Sequence, residues 1–256
     1  MDIDQDVHDR QKRVAGWNQE KISGARCLVV GAGALGNEVV KNLVQFGVRE
    51  MTIVDYDEIV AANLNRCVFF GKKDADEKRL KAEVLAERAA AAAPGMKIGI
   101  ALKKIEELPE DFYSNFDYAF GCLDNLGARL HLNAQAYGKV PLIDGGTTGF
   151  MGKVQVVAGQ SSCLECGVSK RDYNLLWKKY SCVGEVLDFL DPKMPALPTT
   201  TGIVASIQAN EFAKMVHGNE LAKQSLAGKY LFFNGLTGRT EVFEVPKRKK
   251  CPVHAD

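Results

Sequence analysis

The chain has 256 residues, 46% of them hydrophobic and 25% charged, enough for one large α/β domain with a full core. Lys+Arg 33 against Asp+Glu 32 leave a net charge of +1, which removes any global electrostatic case for nucleic acid or a membrane surface. No apolar run reaches the length of a membrane span, and the first residues, MDIDQDVHDRQKR, are charged throughout, unlike a secretory signal. A cytoplasmic protein is therefore expected, its seven cysteines reduced, metal-bound or catalytic rather than disulfide-bonded.

After the polar start, Arg26 to Val30 reads as a buried strand, followed by a glycine turn. An amphipathic helix carrying Leu35, Val39, Val40, Leu43 and Val44 comes next, then a strand from Met51 to Val54 that ends at Asp55. Helical spacing runs from Lys78 to Ala92 and is stopped by Pro94-Gly95. Lys97 to Ala101, Asp117 to Gly121 and Pro141 to Asp144 read as strands, with a helix around Ala128 to Tyr137. Alternation of this kind predicts a Rossmann-like α/β fold, a mostly parallel sheet with helices on both faces. Farther on, Phe150 to Ala158 alternates like a strand and Thr199 to Val216 reads as a long helix. Lys229 to Val245 reads as an antiparallel hairpin turning at Asn234-Gly235. The stretch from Gly167 to Pro198 shows no clean period, which suits a functional loop. One domain over 1–256 is expected, with a Rossmann-like core at 1–148 and an irregular addition at 149–256.

Gly31-Ala32-Gly33-Ala34-Leu35-Gly36 lies between the first strand and its helix, the context in which such glycines cradle phosphate. Gly31 permits the tight turn, Gly33 lets phosphate approach the backbone, and Gly36 lets helix and strand pack closely. The helix start adds free N–H groups and a positive dipole end. Asp55 is placed for ribose hydroxyls. This much suits NAD as well as ATP. Asn63, Arg66 and Lys81 then favour a triphosphate, since fixed cations match its charge. Asp124, after the fourth strand, suits magnesium held between protein and phosphate oxygens.

Cys163-Leu-Glu-Cys166 and Cys251-Pro-Val-His254 form two short ligand pairs that together would fill a tetrahedral zinc site. Such a site would pin the C-terminal hairpin to the core. Cys27, Cys67 and Cys122 lie in apolar or motif segments and read as packing. Cys182 differs: it follows Lys178-Lys179, whose charge favours a thiolate.

The motifs Arg10-Gln-Lys-Arg13, GAGALG, VDYD, Ala62-Asn63-Leu64-Asn65-Arg66, KAEVLAERAAAAAP, CLDNLGAR and GGTTGFMGKVQV carry a resemblance. From about Arg10 to His254 the chain resembles the family of ThiF, MoeB and the ubiquitin-activating enzymes. The resemblance implies ATP-dependent adenylation of the C-terminal Gly-Gly carboxylate of a ubiquitin-like or sulfur-carrier protein. Asp55 would hold ribose, Asn63, Arg66 and Lys81 the phosphates, and Asp124 the magnesium ion. Arg13 would correspond to the arginine offered to the neighbouring subunit, which implies a homodimer. The family carries a Cys-x-x-Cys pair at both zinc positions, so His254 is a departure from it. Cys182 matches roughly where relatives carry the cysteine that takes the acyl group or its sulfur. In some relatives that cysteine directly precedes the proline-threonine helix start, whereas here Asp188 to Pro195 intervenes.

Two enzyme readings share the adenylation step. In one, Cys182 forms a thioester and passes the carrier to a conjugating protein. In the other, the adenylate goes to a sulfur donor acting in trans, as in thiamine, molybdopterin or tRNA thiolation. A Rossmann-type binding protein or NAD-dependent reductase is the competing class.

Overall fold

The structure, a computed structural model, describes residues 6–169, 195–218 and 220–254. Strand β1 (Arg26–Val30) shows why its sequence is apolar without alternation. Cys27 and Val29 enter one core while Leu28 and Val30 enter the other, so both faces of the sheet are covered. Two short helices, α1 (Asp9–Lys12) and α2 (Gln19–Gly24), precede it. Helix α3 (Ala34–Phe46) ends at Gly47, whose left-handed backbone (φ 85°) lets its N–H cap the last carbonyls.

Strand β2 (Glu50–Val54) leads through a 3-10 turn at Ala61–Asn63 and helix α4 (Lys72–Asp76) to helix α5 (Lys81–Ala92). Helical spacing from Lys78 overstates α5 by one turn, because Lys78 has φ 51° and Leu80 is extended. Asp74 organises this crossover. Its buried carboxylate accepts from the Gly71 N–H at 2.7 Å, Arg79 at 3.2 Å and Arg88 at 2.6 Å. Arg88 also donates to the Phe69 carbonyl. The segment carrying Asn63 and Arg66 is thereby tied to α5.

Strands β3 (Lys97–Ala101) and β4 (Tyr118–Gly121) follow, then helix α6 (Leu126–Ala136), capped by the Asn125 side chain on the Ala128 N–H at 2.8 Å. Strand β5 (Leu142–Thr148) runs four residues past the expected end at Asp144. It does so because its second half pairs antiparallel with β6 (Met151–Val157). Helix α7 (Pro198–His217) starts with proline in its first turn and stops at left-handed Gly218. Strands β7 (Lys229–Asn234) and β8 (Arg239–Glu244) form the hairpin, with the Asn234 side chain accepting the Leu236 and Thr237 N–H groups in the turn.

Among the described residues eight strands form one sheet in the order β3-β2-β1-β4-β5-β6-β7-β8. The first five are parallel and the rest antiparallel. Residues of α2, α3, α5 and α7 form the core on one face; α6, Ile105, Tyr113 and the cysteine-bearing segments form it on the other. The expected mostly parallel sheet with helices on both faces and a C-terminal hairpin is the one found. What composition hid is that the second half extends the same sheet. The order 3-2-1-4-5 also places a switch point between β1 and β4, where open α/β sheets form a crevice at their carboxyl ends.

Candidate functional site

The glycine turn closes that crevice from below. Gly31 has φ 98°, and a Cβ there would stand 2.6 Å from the Cys122 carbonyl oxygen. A Cβ on Gly36 would lie 1.9 Å from the Gly31 carbonyl oxygen, so α3 can approach the turn only with glycine at this position. Gly33, the N-cap, faces open space and offers no side-chain cap, leaving the first N–H groups of α3 for an anion. Buried Asn37 braces the turn by donating to the Ala32 and Gly33 carbonyls, while its Oδ1 accepts the Phe69 N–H at 3.0 Å.

Asp55 leaves the end of β2 towards this turn. One carboxylate oxygen accepts the Ala32 N–H at 2.7 Å and the other the Asp57 N–H at 2.8 Å. Each oxygen keeps a second lone pair for a hydroxyl. Burial holds the Asp55 carboxyl above its usual range, against the pull of Lys81 and the two N–H groups.

Lys81, the first residue of α5, has a side chain only 13% exposed and meets Asp57 at 2.6 Å. Burial works against its charge, yet Asp55, Asp57 and Asp124 outweigh it and hold the amine above its ordinary pKa. Asp124 is exposed after β4, just before the cap of α6. Strand order therefore converges Asp55, Lys81 and Asp124 on the crevice. Asn63 caps its own turn on the Val60 N–H at 3.0 Å, and half-buried Arg66 bonds the Ala62 carbonyl and Asn65.

Arg13 does not join them. It pairs with Asp9 at 2.9 Å, and its neighbour Gln11 donates to the carbonyl of Phe46, the last residue of α3. The glycine turn is at the other end of that helix, about 20 Å away for 13 residues. Cys182 lies outside the described residues.

Three residues beside β4 and β5, Asp144, Arg129 and Gln208, escaped sequence reasoning. Asp144 is fully buried and accepts both Arg129 Nε contacts at 3.2 Å, with a closer contact from Nη2. Burial opposes the Arg129 charge, but Asp144 prevails and raises its pKa further. Gln208 of α7 reaches across to donate to the Gly121 and Ile143 carbonyls at 3.1 and 2.8 Å. The only signal for Arg129 was its place one helical turn after the Asn125 cap, within the CLDNLGAR motif.

Across the sheet, Cys163, Cys166, Cys251 and His254 bring their ligand atoms within 4.8 Å of one another. Cys163 Sγ is 3.9 Å from Cys166 Sγ and 3.6 Å from Cys251 Sγ, and Cys166 Sγ is 3.0 Å from His254 Nε2. Tetrahedral zinc with sulfur at about 2.3 Å would separate its sulfurs by about 3.8 Å, so the spacing fits. Burial pushes the Cys163 thiol up to about 12, a state that a divalent cation reverses. Tyr137 stacks on His254 at 5.1 Å between ring centres. The three cysteines expected to pack, Cys27, Cys67 and Cys122, are all buried.

The ThiF family profile matches residues 8–253, nearly the whole chain. The chain belongs to the ThiF family. This ThiF chain is 34% identical over 149 residues to a Saccharomyces cerevisiae protein named "Ubiquitin-activating enzyme E1-like", covering 57% of the chain and 23% of the relative. It is 35% identical over 158 residues to the "NEDD8-activating enzyme E1 catalytic subunit" of Arabidopsis thaliana, covering 56% and 34%. For "SUMO-activating enzyme subunit 2" of Dictyostelium discoideum the values are 36% over 153 residues, 57% and 22%. The chain thus spans roughly a quarter to a third of these relatives' lengths. E. coli MccB solved with ATP superimposes with a TM-score of 0.79 at 17% identity, over 98% of this chain and 75% of MccB, a likeness of fold.

Proposed function

We propose that this chain uses ATP and magnesium to adenylate the C-terminal carboxylate of a small ubiquitin-like or sulfur-carrier protein ending in Gly-Gly. Lys81 carries the reading: a nearly buried ammonium at the mouth of a glycine turn, faced by Asp55, Asp57 and Asp124. Hydride transfer has no use for that array, whereas a triphosphate attacked by an anion needs it. The names of the ubiquitin-, NEDD8- and SUMO-activating relatives, and MccB's ATP complex, support the same reading.

Asp55 accepts the ribose hydroxyls, the α3 N–H groups with Asn63, Arg66 and Lys81 hold the phosphates, and Asp124 holds magnesium. Magnesium, when bound, screens the phosphate charge. The carrier carboxylate then attacks the α-phosphorus, and the α–β bridging oxygen leaves with pyrophosphate. No general base is needed, because a carboxylate is already a nucleophile at neutral pH. Residues 1–148 serve the nucleotide, and 149–256 hold the carrier and one zinc through Cys163, Cys166, Cys251 and His254. Arg13 completes the site of a second subunit in a homodimer, a role its distance from its own glycine turn supports. The protein works in the cytoplasm, with a conjugating or sulfur-donor protein downstream.

In the next step the Cys182 thiolate attacks the acyl carbonyl and AMP leaves, giving a thioester. With a panel of Gly-Gly carriers, ATP–pyrophosphate exchange is expected for the cognate one, and a thiol-sensitive adduct on a non-reducing gel. Cys182→Ala is expected to keep exchange and lose the adduct. An adduct that survives in Cys182→Ala assigns the chemistry to another cysteine. Exchange without any wild-type adduct favours delivery of the adenylate to a sulfur donor in trans. Absence of exchange with every carrier, alongside NAD binding, would return the chain to the reductase class.

Elemental analysis of protein purified without added metal is expected to find one zinc per chain. A Cys163→Ala/Cys166→Ala variant that keeps full zinc would remove these ligands from the site.

A further inference from the structure

Helix α6 crosses the sheet face that carries the cysteine cluster, and Asn133 lies in it with no exposed surface. Its Oδ1 accepts the Leu164 N–H at 3.0 Å, the amide just after Cys163 in the turn that carries both Cys163 and Cys166. Among the described residues its buried Nδ2 meets no acceptor at ordinary hydrogen-bond geometry, and the group it faces is the Cys163 sulfur. A buried amide rarely leaves both its N–H bonds unused, because the lost hydration is not repaid. The neighbour is a poor acceptor as a thiol and a strong one as a metal-bound thiolate. Asn133 thus has one half of its amide satisfied by the turn and the other half waiting for a charge on sulfur.

We infer that Asn133 is the positioning residue of the metal cluster: its Nδ2 donates to the Cys163 thiolate while its Oδ1 holds the Leu164 N–H. The inference rests on the zinc reading above. It gives the cluster an anchor on the same helix that begins beside Asp124 and presents Arg129 to Asp144. The Arg248 N–H, 3.4 Å from Cys166 Sγ, is the corresponding donor to the second sulfur of the pair.

The two halves of the amide can be separated. Asn133→Asp keeps an acceptor for the Leu164 N–H but turns a negative oxygen towards the sulfur, and Asn133→Ala removes both contacts. Zinc content and the rate of zinc transfer to a chromogenic chelator are measured on wild type and both variants, with thermal unfolding to establish that each is folded. Both variants are expected to release zinc faster, by about 10–100-fold, with Asp no slower than Ala. Wild-type release from Asn133→Asp, with fast release only from Asn133→Ala, would reduce Asn133 to a support for the turn and overturn the inference. Zinc-free wild type would overturn the zinc reading itself, so the two failures are distinguishable. Should Asn133→Asp not fold, cobalt-loaded wild type and Asn133→Ser decide. A shifted sulfur-to-cobalt absorption band supports the donor role, and an unchanged band overturns it.

Discussion

Lys81→Ala is expected to lower ATP–pyrophosphate exchange by about 10²–10³-fold while leaving the protein folded. In the structure the Lys81 ammonium neutralises a site that already contains Asp55 and Asp57 and lies within reach of Asp124. Its removal costs the phosphates a cation and also leaves those carboxylates to repel them, so the loss exceeds that of one hydrogen bond. Folding survives because its partner Asp57 is half-exposed and can be hydrated. Arg13→Ala is expected to fall by a similar factor for a different reason, since its own glycine turn lies at the far end of α3. Mixing Arg13→Ala with Asp124→Ala chains is then expected to recover exchange, because one of the two sites in a mixed dimer receives both residues intact. Full exchange by Lys81→Ala would remove it from the site, and no recovery in proven mixed dimers would remove the cross-subunit role of Arg13.

Asp144→Ala is expected to destabilise the fold by about 3–5 kcal/mol, measured by urea unfolding. The substitution leaves the Arg129 guanidinium, whose side chain is 20% exposed, without its carboxylate between β5 and α6. A Cβ on Gly146 would contact the same guanidinium at 2.8 Å, so Arg129 is packed as tightly as it is paired and cannot swing out to water cheaply. The double change Asp144→Ala/Arg129→Leu is expected to recover part of the loss, since it removes the uncompensated charge. A single-variant loss below about 1 kcal/mol, the range of exposed pairs, would show that the pair is hydrated and contributes little.

The pair also illustrates how unevenly the site could be read from residues alone. Gly31, Gly33 and Gly36 were legible because their requirement is local. A tight turn between a buried strand and an amphipathic helix involves six consecutive residues, and Gly36 answers to the Gly31 carbonyl five positions away, whereas the Cys122 carbonyl that crowds Gly31 comes from a distant segment that no local pattern shows. Asp55 was legible for the same reason, as the residue that directly follows β2. The pairs Cys163/Cys166 and Cys251/His254 were legible as pairs by their spacing, and their union was an inference from the chemistry of tetrahedral zinc.

Arg129 lacked such a signal. Asp144 is 15 residues away, and an arginine one turn into a helix ordinarily reads as a solvated charge. The boundary of α5 was misplaced because Lys78 and Arg79 continue the helical spacing, while Asp74, buried four and five residues earlier, draws that segment into a turn.

By itself, then, the sequence determined the parts whose causes are short-range: the strand–turn–helix unit with its glycines, the alternation of elements that makes a parallel sheet, and ligand spacings along one turn. Only the tertiary structure decided which strands are neighbours, and with that the convergence of Asp55, Lys81 and Asp124 at the β1–β4 switch point. It alone brought Cys163 to Cys251 across 88 residues, joined β6, β7 and β8 to the parallel strands, and set Arg13 a helix length from its own glycine turn. The physical reason is that hydrophobic periodicity records how many faces of an element are buried, not which element buries them. That choice is made by complementary packing and by pairing of buried polar groups between segments distant in the chain.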